Sequence, residues 1–127
     1  MISVPVAPGE LIDKLTILEI KLERISDAEK LKNIHLERNL LTQILTKDVT
    51  TSQILSNLSK ELKKINETLW VIEDDIRDCE RQKDFGNRFV ELARAVYFTN
   101  DKRCEIKRDI NLHLGSQIIE EKSYQAY

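Results

Sequence analysis

The clearest pattern in the chain is a heptad repeat of apolar residues between positions 55 and 79. Its members alternate spacings of three and four residues: Leu55, Leu58, Leu62, Ile65, Leu69, Ile72, Ile76 and Cys79. This spacing places all of them on one side of an α-helix. The pattern predicts a helix from about Ser52 to about Arg81, with Thr51 or Ser52 as its N-cap.

A second repeat follows the short break QKDFGN and carries two polar residues on its apolar side. Its positions are Phe89, Leu92, Val96, Thr99, Arg103, Ile106 and Ile110. Asp84 is the predicted N-cap of this helix, and Gly115 is expected to stop it. Because the break is short, the two helices are predicted to form an antiparallel hairpin.

Two shorter helices are predicted before this hairpin. Pro8 suits the first position of helix 1, and apolar side chains nearly encircle that helix: Leu11, Ile12, Leu15, Ile17, Leu18, Ile20, Leu22 and Ile25. A helix of this kind lies at the centre of a bundle or is shared with a second subunit. Ser26 and Glu29 have capping-box spacing and predict helix 2 from about Asp27 to about Lys47.

The pattern as a whole predicts an all-α fold, an antiparallel bundle of four helices in one domain spanning residues 1–127. Residues 1–7 are expected to be extended, and residues 116–127 form a C-terminal tail. Helices 1 and 2 are too short to cover the long hairpin, and Trp70 and Val71 lie off its seam. We therefore expect a homodimer, in which a second chain covers the remaining apolar surface.

Composition and charge support a helical protein and exclude several classes of function. Charged residues make up 33%, with three glycines and two prolines, as in helical bundles. The formal net charge of −2 comes without a basic block, so nucleic acid is not an expected partner. No apolar run is long enough to enter a membrane. The first ten residues lack the features of a signal peptide, so a cytoplasmic protein is expected.

A polar layer on helix 4 is the first candidate site, comprising Tyr97, Thr99, Asn100, Asp101 and Arg103. An arginine within an apolar seam needs an acceptor, because an unpaired buried charge is very costly. Asp13 or Glu19 of helix 1 could supply that acceptor. We expect a structural ion pair, or an arginine that reaches solvent. The alternative is a ligand-binding arginine.

Acidic residues form the second candidate site, with Glu10 and Asp13 on helix 1 and Glu73 and Asp75 on helix 3. Carboxylates on neighbouring helices can bind Mg²⁺ or Mn²⁺. All-helical nucleotide pyrophosphohydrolases pair an ExxE with an ExxD in this way, but the ExxE half is missing here. The alternative interpretation is structural: Glu10 and Asp13 stabilise the positive N-terminal end of the helix dipole. No cofactor is expected in that case.

Four stretches together resemble an uncharacterised bacterial and phage family of short helical proteins: VAPGELIDKLTILEIKLERI, LWVIEDDIRDCE, DFGNRFVELARAVYFTND and INLHLGSQIIEEKSY. The resemblance implies an all-helical fold but no activity. It directs attention to residues 8–14, 97–101 and 120–124, and implies that both chain ends fold back onto the bundle. Asp13 and Lys14 thereby join the polar layer of helix 4 as one candidate site.

Two functions from different classes are consistent with these observations. The favoured hypothesis is a helical interaction or accessory module that acts as a homodimer, binds protein partners and has no catalytic activity. The alternative is a metal-dependent nucleotide or phosphoester hydrolase of the all-α type, which would use the acidic candidates.

Overall fold

The computed structural model describes residues 1–127 and contains four α-helices and no strands. In chain order these are α1 (Pro8–Arg24), α2 (Ala28–Asp48), α3 (Gln53–Gln82) and α4 (Asn87–His113). All four predicted helices are confirmed, with the bounds of α2 and α3 displaced by one residue. The segments 1–7 and 116–127 contain no helix or strand. No helix combines the length and the apolar character that a bilayer crossing demands.

The ends of α3 and α4 follow from local chemistry. Ser52 caps α3 as predicted, since its Oγ accepts a hydrogen bond from the Leu55 N–H at 3.1 Å. Lys83 ends α3 in the left-handed region with φ of 55°. Gly115, which has φ of 64°, follows α4, as the sequence predicts, because glycine adopts this conformation without a Cβ penalty.

Two predicted caps are wrong. The N-cap of α2 is Asp27 rather than Ser26, and the Asp27 Oδ1 accepts a hydrogen bond from the Lys30 N–H at 2.9 Å. The N-cap of α4 is Gly86 rather than Asp84. Asp84 instead accepts a hydrogen bond from the Gly86 N–H at 3.1 Å within the connection. In both cases the helix begins too late for the predicted side chain to reach its first turn.

Helix α1 lies at the centre of the fold. It packs against α2, α3 and α4, whereas α2 packs against α1 alone. Five of its apolar residues are buried: Leu11, Ile12, Leu15, Leu18 and Ile20. The apolar side chains that encircle α1 are therefore explained by packing within one chain. Of the two alternatives that the sequence left open, a central helix and a helix shared with a second subunit, the structure shows the first.

The core joins α1 to the two long helices. Ile12, Leu55, Leu62 and Ile110 form its buried cluster, and Leu62 and Ile110 have no exposed surface. Each such side chain contributes about 1.5–3 kcal/mol relative to an exposed position. None of the predicted seam positions of α3 and α4 is exposed, which confirms the heptad phase in both helices.

The long helices extend past the shorter α1. Helices α3 and α4 have 30 and 27 residues, while α1 has 17. Contacts join the beginning of α3 to the end of α4, where Ser52 Oγ lies 3.2 Å from His113 Nε2. Other contacts join the end of α3 to the beginning of α4, where Arg88 lies 4.0 Å from Asp75. We refer to residues 70–98 as the arm.

Cys79 and Cys104 are both free.

Candidate functional site

A buried ion pair occupies the point where α1 meets α4. The Asp13 residue is only 1% exposed. Arg103 donates from Nε to Asp13 Oδ1 at 3.0 Å and from Nη2 to Asp13 Oδ2 at 2.5 Å. This two-point geometry is the strongest form of the arginine–carboxylate pair. The Asp13 carboxylate raises the pKa of Arg103, chiefly through these hydrogen bonds, so the guanidinium stays charged.

Two further side chains complete the environment of Asp13. Asn66 on α3 donates from Nδ2 to Asp13 Oδ1 and to Thr16 Oγ1, each at 2.9 Å. Thr16 in turn donates its hydroxyl to the Asp13 carbonyl oxygen at 2.7 Å. No buried side-chain nitrogen or oxygen lacks a hydrogen-bond partner. The layer therefore fixes the relative positions of α1, α3 and α4, because any shift would leave a buried polar group unpaired.

The backbones of α1 and α4 approach closely next to this layer. Gly9 donates its N–H to Asn111 Oδ1 at 2.7 Å, and both residues are buried. A Cβ added at Gly9 would lie 2.6 Å from the Lys107 carbonyl oxygen. Only glycine fits this position, so Gly9 is required for packing and not for a turn.

The C-terminal tail is held on α4 by ion pairs. Lys107, whose side chain is 12% exposed, contacts Glu10 at 2.7 Å and Glu120 at 3.6 Å. Lys122 contacts Glu120 at 2.9 Å. The hydrogen bond from Lys122 and the charge of Lys107 lower the pKa of Glu120. The start of α1, the last turns of α4 and the tail therefore meet, as the family resemblance implies.

An aromatic cluster anchors the end of the tail. The ring of Tyr127 packs against Tyr97 and Phe98, with centroids 5.4 Å and 4.8 Å away. Its hydroxyl donates a hydrogen bond to Asp101 Oδ2. This hydrogen bond and the negative charge of Asp101 raise the pKa of Tyr127 to about 12.

The titration of Tyr127 provides a test of this contact. Because the folded pKa lies above the ordinary value of about 10, the contact is stabilising below that pH and is lost as the pH rises through about 12. We expect the tyrosinate absorbance of the native protein, minus that of Tyr127→Phe, to show a midpoint near 12. Asp101→Asn should lower this midpoint. The same midpoint in both proteins would contradict the contact.

Two members of the predicted polar layer, Arg103 and Asn100, come together around Asp13. Asn100 Oδ1 accepts a long hydrogen bond from Arg103 Nη1 at 3.4 Å. Tyr97 and Asp101 do not contact Asp13. They contact the ring and the hydroxyl of Tyr127 in the aromatic cluster. Thr99 is half-buried on the seam, and Lys14 is exposed and does not join the layer.

Five participating residues were missed by sequence reasoning: Thr16, Asn66, Lys107, Asn111 and Tyr127. Asn66 directly follows Ile65 on the heptad seam and lies between two apolar positions of α3. That placement resembles an ordinary flanking polar residue. Its burial depends on the crossing of α1, which the sequence of α3 does not encode.

The structure does not bring the four acidic candidates together. Asp13 is bound by Arg103, and Glu10 is bound by Lys107. Glu73 contacts Arg77 at 3.4 Å, while Asp75 lies 4.0 Å from Arg88 on the arm. No group of three or more metal-ligating side chains is gathered anywhere in the chain. These carboxylates are therefore arranged as ion-pair partners.

A cleft of about 610 Å³ opens beside the Asp13–Arg103 layer, between α1 and the long helices. Its lining combines apolar residues, among them Leu69, Trp70 and Val96, with polar and charged ones that include Glu73 and Arg103. The cleft leads from the buried layer to the arm. It can accept an apolar side chain from another molecule.

Comparison with known proteins places the chain in a family. The sequence model of one family matches residues 2–127 and so covers nearly the whole chain. No curated protein and no solved structure matches it. The chain belongs to DUF6165, a family of unknown function.

Proposed function

We propose that the protein is a helical interaction module that acts as a homodimer through its arm. One observation carries the proposal. A compact monomer of this mass would expose about 7,000 Å² by the size scaling of folded proteins. The single chain of 14.8 kDa exposes 9145 Å². The excess of about 2,100 Å² is comparable to the surface that a chain buries in a large, obligate homodimer.

Apolar residues on the arm indicate where a second chain binds. Val71, Phe85 and Val90 are 45%, 53% and 51% exposed. Trp70 is half-buried at the edge of the cleft beside Arg103. A stretch of exposed apolar side chains of this kind marks an interaction surface more often than an ordinary monomer surface.

A second copy fits the arm better than a highly charged partner does. Six of the twelve charged residues of the arm are paired within the chain, Arg77 with Glu73, Arg81 with Asp78 and Arg88 with Asp75, and the arm carries a formal net charge of −2. An arm with so small a net charge can pack on its own copy with little repulsion. We infer that neighbouring helices run antiparallel, since short connections join them, and that two arms pack side by side.

The proposed role is non-catalytic: the module assists protein partners. Its proposed location is the cytoplasm. The free thiols of Cys79 and Cys104 are consistent with a reducing compartment. Residues of the buried layer support this role by holding α1 against the long helices. They thereby fix the angle at which the arm is presented.

Light scattering coupled to size-exclusion chromatography tests the homodimer. At micromolar concentration we expect about twice the chain mass of 14.8 kDa. Val71→Glu and Val90→Glu should each reduce the measured mass to that of one chain, because a charge would be buried in the interface. A native protein that stays monomeric at high concentration would refute the proposal.

Leu36→Glu provides the matched control, since Leu36 is an exposed apolar residue on α2, away from the arm. It should remain a dimer. Circular dichroism of each variant shows whether the helices are retained. Dimers that persist in both folded arm variants, or dissociate equally in the Leu36→Glu control, would argue against the arm as the interface.

A further inference from the structure

A second cleft, of about 390 Å³, lies between α1, α2 and α3 at the end of the fold away from the arm. It exists because α2 packs against α1 and does not reach α3. The connection 49–52 closes the cleft at one end. Its volume lies within the range of about 300–1,000 Å³ that is typical of small-molecule sites.

The lining of this cleft changes from apolar to cationic along its length. Leu45, Val49 and Leu55 lie near the connection, where they border the buried core. Arg38 lies about 16 Å from Val49 along α2, by the helical rise. Lys60 lies about 8 Å from Leu55 along α3, by the same rise. The cleft thus has an apolar closed end and a positively charged mouth.

Arg38 has no partner that explains its position. Arg38 and Arg103 are the two partly buried arginines of the chain. Arg103 binds the Asp13 carboxylate, but no carboxylate lies within salt-bridge distance of Arg38, and its guanidinium makes no side-chain hydrogen bond. Since no buried side-chain nitrogen of the chain lacks a hydrogen-bond partner, the unpaired guanidinium nitrogens of Arg38 are open to solvent and free to bind an anion at the mouth of the cleft.

The other charges at the mouth leave a net positive site. Lys60 also has no carboxylate partner. Lys63 is bound by Glu23 at 2.5 Å, which together with Glu19 raises the pKa of Lys63. Glu19 is the only carboxylate that lines the cleft, and the Lys63 charge lies beside it. Arg38 and Lys60 therefore remain available for a ligand.

Hydroxyl groups on both long walls of the cleft add neutral donors. Thr42 on α2 and Ser56 and Ser59 on α3 line the cleft, and none of these hydroxyls donates a hydrogen bond within the protein. A phosphate group has three terminal oxygens and can accept bonds from an arginine, a lysine and hydroxyls at once. A carboxylate has fewer acceptor positions and leaves part of this set unused.

We propose that this cleft binds an amphipathic phosphate monoester, with its phosphate at Arg38 and Lys60 and its apolar chain along Leu45, Val49 and Leu55. The site is separate from the arm, and its occupation does not depend on dimerisation. The ligand class follows from the combination of an apolar closed end with two uncompensated cations and several hydroxyls at the mouth.

Isothermal titration calorimetry with decyl phosphate, below the concentration at which it forms micelles, tests this site. We expect saturable binding to the full-length protein. Arg38→Glu and Lys60→Glu should each weaken binding by about tenfold or more, since each removes a charged hydrogen bond. Lys32→Glu is the control, because it makes the same charge change at an exposed residue of α2 outside the cleft, and it should bind like the native protein.

Thr42→Trp tests the cleft itself without changing its charge. A bulky side chain there should abolish binding of decyl phosphate while circular dichroism shows retained helices. Inorganic phosphate and the neutral decyl maltoside should each bind far more weakly than decyl phosphate. Inorganic phosphate lacks the apolar chain, and decyl maltoside lacks the phosphate group.

Three results would overturn the proposal. The first is the absence of binding to the folded native protein, and the second is equal weakening by Lys32→Glu and Arg38→Glu. The third is decanoate binding as tightly as decyl phosphate, which would remove the argument for a phosphate head group. If Arg38→Glu fails to fold, Arg38→Gln replaces it and is expected to weaken binding in the same direction.

Discussion

Replacing Arg103 with leucine is expected to destabilise the protein by about 3–5 kcal/mol, the cost of breaking a buried ion pair by removing one partner. The Asp13 carboxylate would remain 1% exposed with only the Asn66 amide to bind it. The urea midpoint should fall by about 2 M for a typical small-protein slope. The measurement is a urea unfolding curve at fixed protein concentration, because dimerisation makes stability depend on concentration.

Arg108→Leu is the matched control for this variant. Arg108 pairs with Glu121 at 3.2 Å on the surface, and such exposed pairs contribute about 0–1 kcal/mol. The double variant Asp13→Leu with Arg103→Leu should recover part of the loss, because no buried charge is then left alone. An Arg103→Leu midpoint equal to or above the native value would contradict the structural role and assign Arg103 to ligand binding.

The second large effect is expected from Gly9→Ala. In most helix positions this change stabilises a protein by up to about 1 kcal/mol through helix propensity. Here the new Cβ would lie 2.6 Å from the Lys107 carbonyl oxygen and 2.8 Å from Asn111 Oδ1. Helices α1 and α4 must then separate, and the Gly9–Asn111 hydrogen bond is weakened. We expect a loss of about 3 kcal/mol, from overpacking and the impaired hydrogen bond, measured as a lower urea midpoint.

Gly86→Ala is the control for Gly9→Ala. A Cβ at Gly86 has only the Asp84 Oδ1 nearby, at 3.4 Å, and its φ of −83° is accessible to alanine. Alanine is a poorer N-cap than glycine, so a loss of up to about 1 kcal/mol is expected. If Gly9→Ala is as stable as Gly86→Ala, the close approach of α1 and α4 is not present in solution.

Arg103 illustrates how far sequence reasoning reached at the candidate site. The heptad phase of α4 placed Arg103 on the apolar side, and the cost of a buried charge required an acceptor. The sequence offered Asp13 and Glu19 as partners, and the structure selects Asp13. The two lie about 1.7 helical turns apart on α1, so the choice depends on where α1 crosses α4, which no local pattern determines.

Lys14 was misplaced and Asn66 was missed for the same reason. The family resemblance grouped Lys14 with Asp13 because the two are adjacent in sequence, yet successive helical residues point in different directions. Asn66 looked like a flanking polar residue of α3, but α1 covers it. Side-chain direction within a helix can be read from the sequence. The identity of the helix that covers each face cannot.

The sequence by itself determined the four helices, the seam of the long pair and the need for a partner to Arg103. These follow from local periodicity and from the cost of burying charge, which act within one helix. The tertiary structure alone decided that α1 is central, that Gly9 touches the backbone of α4, and that α2 leaves a cleft beside α3. Those features depend on packing between residues such as Gly9 and Asn111, which are distant in the chain and carry no shared pattern.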